Sequence, residues 1–202
     1  MTLQERLLDE LRDLYHAEKQ LLRAIPKMAK AATHEDLREG FEMHLEETRE
    51  QVTRLEEVFE AMDEKVRAKN CPGMAGIIEE GSELMQNEEP GAVMDAALIA
   101  AAQRVEHYEI GAYGTCVAWA RLLGMDEVVS LLEQTLEEEK ATDKKLTALA
   151  EQEVNLNAAS EGQGEEEEEE EAQPARGRKS ASRRQSSSSR GGRAKAADRR
   201  RR

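Results

Sequence analysis

The 202-residue sequence predicts an all-α protein built around an antiparallel four-helix bundle. Leu, Ala, Glu, Lys, Gln and Met dominate the chain before residue 161, which is the composition of helices. Only 3% of the residues are aromatic, and the Val, Ile and Thr runs that form strands are missing. Apolar residues recur instead at steps of three and four, as they do in amphipathic helices.

The first two predicted helices form a hairpin. The first helix runs from about Leu3 to Ala31, with apolar positions at 7, 11, 14, 21, 25 and 28. A turn at Thr33 and His34 leads into the second helix, whose first turn is acidic. That helix should end before the helix-breaking segment at 70–73.

A long crossover joins this hairpin to a second one. Residues 74–86 are predicted to form a short helix within the crossover. The third long helix begins near Pro90, because proline is common in a first helical turn, and it runs to about Leu123. Gly124 is a suitable cap, and a fourth helix follows over about 126–153. Four long helices with one long crossover have the ferritin-like connectivity.

The chain changes character after the predicted bundle, which we place at residues 1–157. Residues 158–202 have few apolar residues, so we predict a disordered tail. An acidic run at 165–171 precedes a basic segment, 173–202, that has twelve Lys or Arg and one acid. Such a segment can contact nucleic acid without sequence preference. Because the total charge is −14, residues 1–172 carry about −25, and the acidic bundle and the acidic run would compete for the same arginines.

The sequence predicts neither secretion nor membrane contact. It is charged from its fifth residue, and no run approaches the roughly 18 apolar residues of a membrane span. Two cysteines, Cys71 and Cys116, are too few for a disulfide framework. We therefore expect a cytoplasmic protein.

An internal repeat relates the two hairpins. A shift of 91 residues, without a gap, aligns the HAE at 16–18 with the HYE at 107–109 and brings Glu47 onto Glu138. Each hairpin thus has two glutamates about 14 to 15 residues from its turn, or roughly 22 Å at 1.5 Å per residue. The four carboxylates are expected to share one layer of the bundle.

These four glutamates are also predicted to face the core. Glu18 and Glu109 continue the apolar positions of their helices, and we expect no Lys or Arg at the core-facing positions of any of the four helices. Ionised carboxylates buried together lose hydration and repel one another, so a bound cation is the simplest explanation. The alternative is that a glutamate-rich helical protein places some glutamates near the core by chance, where they reach solvent.

Oxygen-rich ligation suits iron or manganese better than structural zinc, which prefers Cys and His. We predict a di-iron centre, with manganese as the alternative metal. His44 and Glu106 lie one turn before two of the glutamates and are further candidates. The predicted metal ligands are Glu18, Glu47, Glu109, Glu138, His44 and Glu106.

Other polar residues near the predicted layer have simpler expected roles. Tyr15 is expected as a core tyrosine, with an electron relay as the alternative. His16 and His107 fall beside the apolar positions, so we expect hydrogen bonds rather than coordination. Gln51 and Asp143 are candidates for hydrogen bonds to the metal ligands.

Four segments of the chain carry a family resemblance: DELRDLYHAEKQL, HLEETREQ, QRVEHYEIGAYG and LEEEKATDKKL. Over about residues 1–157 the chain resembles the YciF-like bacterial stress proteins, a ferritin-like family. The resemblance implies a helical bundle, often dimeric, that is related to rubrerythrins and ferritins. It also implies metal ligands from all four long helices, at Glu18, Glu47, Glu106, Glu109 and Glu138.

Two features depart from rubrerythrin-type sites. Those sites have Glu-x-x-His on the second and fourth helices. Here the position three residues after Glu47 is Glu50, and the position three residues after Glu138 is Ala141. The cysteine quartet of a rubredoxin-like domain is also missing, so a redox cycle would need an outside electron donor. The sequence leaves two functions open: a metal-dependent stress protein that reacts with peroxide or oxygen, and a non-catalytic dimeric structural or adaptor module.

Overall fold

The computed structural model describes residues 1–161, and all regular elements in that range are helical. The five α-helices are α1 (Leu3–Ala31), α2 (Glu35–Ala61), α3 (Pro72–Asn87), α4 (Ala92–Leu122) and α5 (Asp126–Leu149). A π-helical turn, Ala150–Val154, continues α5 into a helix that reaches residue 161. The predicted all-α bundle, with four long helices and a short crossover helix, is confirmed. The predicted acidic run and basic segment lie outside the described residues.

The start of α1 is fixed by a capping box. The Thr2 hydroxyl accepts a hydrogen bond from the Glu5 backbone N–H at 3.1 Å, and the Glu5 carboxylate accepts one from the Thr2 N–H at 2.6 Å. These bonds satisfy two N–H groups that a helix start otherwise leaves without partners. The helix then buries its apolar positions against the rest of the bundle.

The turn between α1 and α2 is attached to the start of α4. The buried Asp95 carboxylate accepts hydrogen bonds from the backbone N–H groups of Thr33 (2.8 Å) and His34 (2.9 Å) and from the Thr33 hydroxyl. The end of α1 therefore lies beside the beginning of α4, and these two helices run antiparallel. This contact fixes the depth of one hairpin relative to the other.

The crossover helix α3 is held against α1 and α4 at its first turn. The Cys71 backbone N–H donates to His16 Nδ1 at 3.0 Å, and the Cys71 Sγ lies 3.0 Å from the Tyr108 hydroxyl. Packing here is close, because a Cβ at Gly73 would lie 2.9 Å from the Tyr108 ring. The hydrogen bond expected for His16 is thus confirmed. No helix within residues 1–161 is both long and apolar enough to cross a membrane.

The apolar core consists of two clusters with a polar layer between them. One cluster lies near the α1–α2 turn and includes Leu21, Ile25 and Leu98. The other lies toward the opposite end of the bundle and includes Leu11, Phe59 and Leu132. The candidate site occupies the intervening layer, at about the middle of the long helices.

Candidate metal centre

Four glutamates are buried in the polar layer. Glu18 comes from α1, Glu106 and Glu109 come from adjacent turns of α4, and Glu139 comes from α5. Each of these residues is at most 1% exposed. The structure therefore brings together four of the six predicted ligands, since the buried His44 of α2 lies beside Glu18, Glu106 and Glu109.

On α5 the buried glutamate is Glu139 and not Glu138. The prediction that the Glu138 side chain faces the core is therefore wrong, and the residue next to it takes that position. The Glu138 side chain is 26% exposed and forms a bidentate ion pair with Arg54, at 2.8 and 3.0 Å. Residues 137–139 are three consecutive glutamates, so the sequence alone offered three choices. The buried face of α5 includes Leu132, Thr135, Leu136, Glu139, Thr142 and Leu146.

Glu47 lies at the edge of the layer and not in its centre. Its side chain is 30% exposed, and one carboxylate oxygen is 3.4 Å from His44 Nδ1. The hydrogen bond from His44 lowers the pKa of this carboxyl below its ordinary value, with burial acting in the opposite direction. The 91-residue repeat still holds here, since Glu47 and its equivalent Glu138 both occupy edge positions beside a basic side chain.

His44 connects the edge of the layer to its interior. Its Nε2 atom lies 3.3 Å from a Glu106 carboxylate oxygen, but without the alignment of a hydrogen bond. His44, Glu106 and Glu139 each place one ligand-type atom within 4.8 Å of the other two. An imidazole and two carboxylates at this separation can bind one metal ion.

Many polar atoms in this layer are buried without a hydrogen-bond partner. Considering residues 1–161 only, seven such atoms belong to six neighbouring side chains. Buried polar atoms in folded proteins are nearly always paired, and each exception needs an explanation. The seven atoms are Glu18 Oε2, His44 Nε2, Gln51 Oε1, Glu106 Oε2, both carboxylate oxygens of Glu109, and Glu139 Oε2.

Burial and mutual repulsion shift the acids of the layer toward their neutral forms. Burial raises the pKa of Glu18, Glu106 and Glu109 well above 4.5, and neighbouring carboxylates raise the pKa further. The pKa of Glu139 is also raised, again mainly by burial. Burial without a cation therefore favours the protonated forms of these groups, whereas a divalent cation would favour their ionised forms.

Arg54 is a buried cation that the sequence analysis did not anticipate. It lies on α2 one turn beyond Gln51, is 7% exposed, and also donates to the Thr135 hydroxyl at 2.6 Å. The expectation that no basic residue shares the core positions is therefore wrong. Because both guanidinium–carboxylate bonds go to Glu138, the other acids of the layer have no ion-pair partner of comparable geometry among residues 1–161.

Two neutral side chains hold single oxygens of the buried acids. The Tyr113 hydroxyl donates to Glu18 Oε1 at 2.5 Å, and the Gln51 amide donates to Glu139 Oε1 at 2.5 Å. In both carboxylates the second oxygen remains without a partner within the described part of the chain. The expected hydrogen bond from Gln51 is confirmed, and Tyr113 could have been found from its position one turn after Glu109.

The remaining candidates lie outside the layer. The Tyr15 hydroxyl donates to Glu56 at 2.6 Å, away from the four acids. Asp143 accepts a hydrogen bond from Gln103 at 3.1 Å and lies 3.2 Å from His107 Nε2. None of these residues bonds to a buried glutamate, so the structure assigns them to contacts between helices.

The donor set fits a hard divalent metal. It consists of carboxylate oxygens and one imidazole, and both cysteines lie elsewhere in the two apolar clusters. Iron and manganese accept such ligands, whereas a structural zinc site would favour thiolates. The seven polar atoms without partners are positioned in the layer that these ligands surround.

Fold and site together define a helical-bundle protein with a carboxylate-rich core. The chain matches the family described as "Domain of unknown function (DUF892)" over residues 2–159 and belongs to that family. It is 48% identical to protein YciF of Escherichia coli strain K12 over 158 residues, which are 78% of this chain and 95% of YciF. The resemblance to YciF-like proteins is therefore confirmed.

Solved structures agree with this assignment. The crystal structure of the E. coli stress protein YciF matches with a TM-score of 0.74 at 48% identity, over 77% of this chain and 98% of that one. YcfI of Rhodopseudomonas palustris, for which a structural role has been suggested, matches with a TM-score of 0.71 at 46% identity, over 73% and 94% of the two chains. A protein from Xanthomonas campestris at 22% identity, with a TM-score of 0.63 over 80% and 99%, shares the fold.

Proposed function

We propose that the buried carboxylate layer binds two iron ions, or two manganese ions, and that the protein limits oxidative damage by consuming peroxide or oxygen. The observation that carries this proposal is the set of seven buried polar atoms in this one layer that have no hydrogen-bond partner in residues 1–161. Metal ligation would satisfy these atoms and offset the repulsion between the acids.

The ligands we propose are the four buried acids and the imidazole beside them. Glu18, Glu106, Glu109, Glu139 and His44 would hold the ions, since their side chains converge in the layer. Glu47 would join from the edge, next to His44. Glu138 would first have to leave Arg54, so we rank it last. When bound, iron would supply the redox chemistry toward peroxide or oxygen.

The protein's own groups would control this site in two ways. Tyr113 and Gln51 fix the orientation of Glu18 and Glu139, so that the second oxygen of each acid faces the layer. The two apolar clusters exclude water from both sides of the layer. A role in stress is supported by the similarity to the E. coli stress protein YciF.

Metal content tests the proposal. The full chain is purified without chelator, loaded anaerobically with ferrous iron, and analysed for bound metal together with the variant Glu18→Gln/Glu109→Gln. We expect about two ions per wild-type chain, as in two-metal sites, and a large loss in the variant. The exposed pair Glu79→Gln/Glu83→Gln on α3 is the matched control and should keep its metal. Little metal in wild-type protein after loading contradicts the proposal.

The second candidate function is a non-catalytic structural or adaptor module. It is favoured by the ion pair between Arg54 and Glu138, which occupies a ligand position expected from rubrerythrin-type sites. The suggested structural role of YcfI points the same way. On this account the buried acids stay protonated, and the metal analysis would give little iron or manganese.

We also propose a cytoplasmic homodimer whose basic segment, residues 173–202, contacts nucleic acid. The dimer follows from the family resemblance, and the nucleic-acid contact follows from the charge of a segment that lies outside the described residues. DNA binding that weakens steeply with salt, and that is lost when residues 173–202 are deleted, would support the contact. Binding that survives the deletion would contradict it.

A further inference from the structure

A cleft leads from the protein surface to the carboxylate layer. We call it the α2–α5 cleft, because its walls come from α2 and α5 while α4 contributes Ala102 and Glu106 at its base. Its volume is about 230 Å³. The walls are mainly apolar, and their apolar residues are Leu37, Phe41, Met43, Leu146 and Leu149.

The inner end of the α2–α5 cleft is polar, and two of its atoms have no hydrogen-bond partner within residues 1–161. His44 and Glu106 both line the cleft, and they are 6% and 1% exposed. Their Nε2 and Oε2 atoms have no hydrogen-bond partner among residues 1–161. A molecule in the cleft therefore meets apolar walls along its length and free hydrogen-bonding groups at its end.

The charged residues that line the cleft select against anions. Asp36, Glu39 and Glu47 line the cleft, and Lys145 is the cation that lines it with them. Glu106 adds a further acid at the base. An anionic ligand would be repelled, because the cleft has more negative than positive side chains, whereas an uncharged ligand would not be repelled.

The volume sets the size of the ligand. An apolar cavity of about 150 Å³ holds one benzene ring, so about 230 Å³ accommodates a ring with a few further atoms. We propose that the α2–α5 cleft binds a small uncharged molecule with an apolar body of about one aromatic ring and a single hydroxyl group that faces His44 and Glu106. As a substrate class this rests on the proposed metal function, in which His44 and Glu106 would be ligands. The binding itself needs no metal, because both groups have an atom without a hydrogen-bond partner in residues 1–161.

Gly40 offers a way to close the cleft without disturbing the core. It lines the cleft from α2, and a Cβ placed there would meet no atom of residues 1–161 within 4 Å. The substitution Gly40→Leu would thus fill space in the cleft, and it replaces glycine by a better helix former. Gly111 on α4 is the matched control, since it also has open space around a Cβ but does not line the cleft.

The test uses p-cresol and its anionic analogue 4-methylbenzoate as probes. Each is titrated at pH 7 into chelator-treated, isotopically labelled full chain while backbone amide resonances are followed. We expect saturable p-cresol shifts in residues 36–47 and 142–149, and binding of 4-methylbenzoate weaker by about tenfold or more. Gly40→Leu should weaken p-cresol binding by about tenfold or more, while Gly111→Leu should not. Leu149→Trp, which narrows the cleft from α5, serves as a second blocking variant.

Several outcomes would overturn the inference. They are the absence of saturable shifts, equal binding of the two probes, and unchanged p-cresol binding in both blocking variants. Cleft resonances that follow protein concentration instead of p-cresol would assign the cleft to an interface between copies of the chain. Metal binding without p-cresol binding contradicts only this inference, and p-cresol binding without metal binding contradicts only the proposed metal function.

Discussion

The two helical hairpins have the same backbone plan but supply different chemistry to the layer between the apolar clusters. Glu18 and Glu109 are equivalent in the 91-residue repeat, and both are fully buried. Glu47 and Glu138 are also equivalent, and both are half-buried at the edge of the layer. At these four positions the burial of a glutamate in one hairpin predicts the burial of its repeat equivalent in the other.

Elsewhere the hairpins diverge. Glu139 on α5 corresponds to Thr48 on α2, and Glu106 on α4 corresponds to Tyr15 on α1. The second hairpin therefore contributes three of the four buried acids. The first contributes the groups that face them, of which His44 contacts Glu106, Gln51 bonds to Glu139 and Arg54 bonds to Glu138. An acidic hairpin thus lies against one that supplies basic and hydrogen-bonding side chains.

The largest predicted effect is the difference in metal content between a variant of Glu139 and a variant of its neighbour Glu138. Glu139→Gln removes a buried acid of the layer, so we expect the loaded protein to lose most of its metal in elemental analysis. Glu138→Gln changes a half-buried group already paired with Arg54 and should retain most of its metal. Loss of metal in Glu138→Gln but not in Glu139→Gln would show that Glu138 is the ligand from α5. It would contradict the proposed difference between the two hairpins.

Stability of the metal-free protein should fall as pH rises. The pKa values of Glu18, Glu106 and Glu109 are raised above 4.5 in the folded state, so their contribution is complete below that pH and is lost as pH rises through the folded-state values. The limiting slope is about 1.4 kcal/mol per pH unit for each carboxyl. Urea unfolding of chelator-treated protein between pH 5 and 8 measures it.

The variant Glu18→Gln/Glu109→Gln is the comparison for this pH series. It removes two of the titrating acids, so its unfolding free energy should depend less on pH than that of the wild-type protein. Parallel curves for the two proteins would show that these acids do not set the pH dependence.

Removing the buried cation of the first hairpin should destabilise the fold without emptying the site. Arg54→Gln leaves Glu138 without its ion pair, at a cost of about 2 to 3 kcal/mol because the pair is only partly shielded from solvent. Its repeat equivalent Lys145 is exposed, and Lys145→Gln should change stability by no more than about 0.5 kcal/mol. Equal losses of unfolding free energy for the two variants in denaturant titrations would contradict the proposed difference between Arg54 and Lys145.

The smallest predicted effect concerns the hydroxyl that holds Glu18. Tyr113→Phe deletes one buried hydrogen bond and should lower the unfolding free energy by about 1 to 2 kcal/mol. Tyr15→Phe deletes a bond to Glu56 at a wetter position and should cost less. Chemical denaturation of the two variants provides the comparison, and a larger loss for Tyr15→Phe would contradict the account.

The sequence predicted the helices well because their apolar periodicity and end signals are local. The bounds of α1 agree with the prediction, and Gly124 does follow α4, with the positive φ that glycine favours. The repeat also located Glu18 and Glu109, because a gapless shift preserves both depth and facing. These properties depend on residues that are close in sequence.

The parts that were missed depend on packing between distant segments. Choosing among the glutamates at 137–139 needs the rotation of α5, which the other three long helices set together. The burial of Arg54 depends on a carboxylate 84 residues away in sequence. The α2–α5 cleft exists because of the shape left between two helices, and no local pattern in the sequence records it.

Anomalous diffraction from manganese-loaded crystals tests the central claim most directly. We expect anomalous peaks within bonding distance of Glu18, Glu106, Glu109 and Glu139, with Glu138 still paired to Arg54. A layer without anomalous peaks in loaded crystals, with metal bound only at surface acids, would contradict the proposed metal centre and favour a structural bundle whose buried glutamates stay protonated.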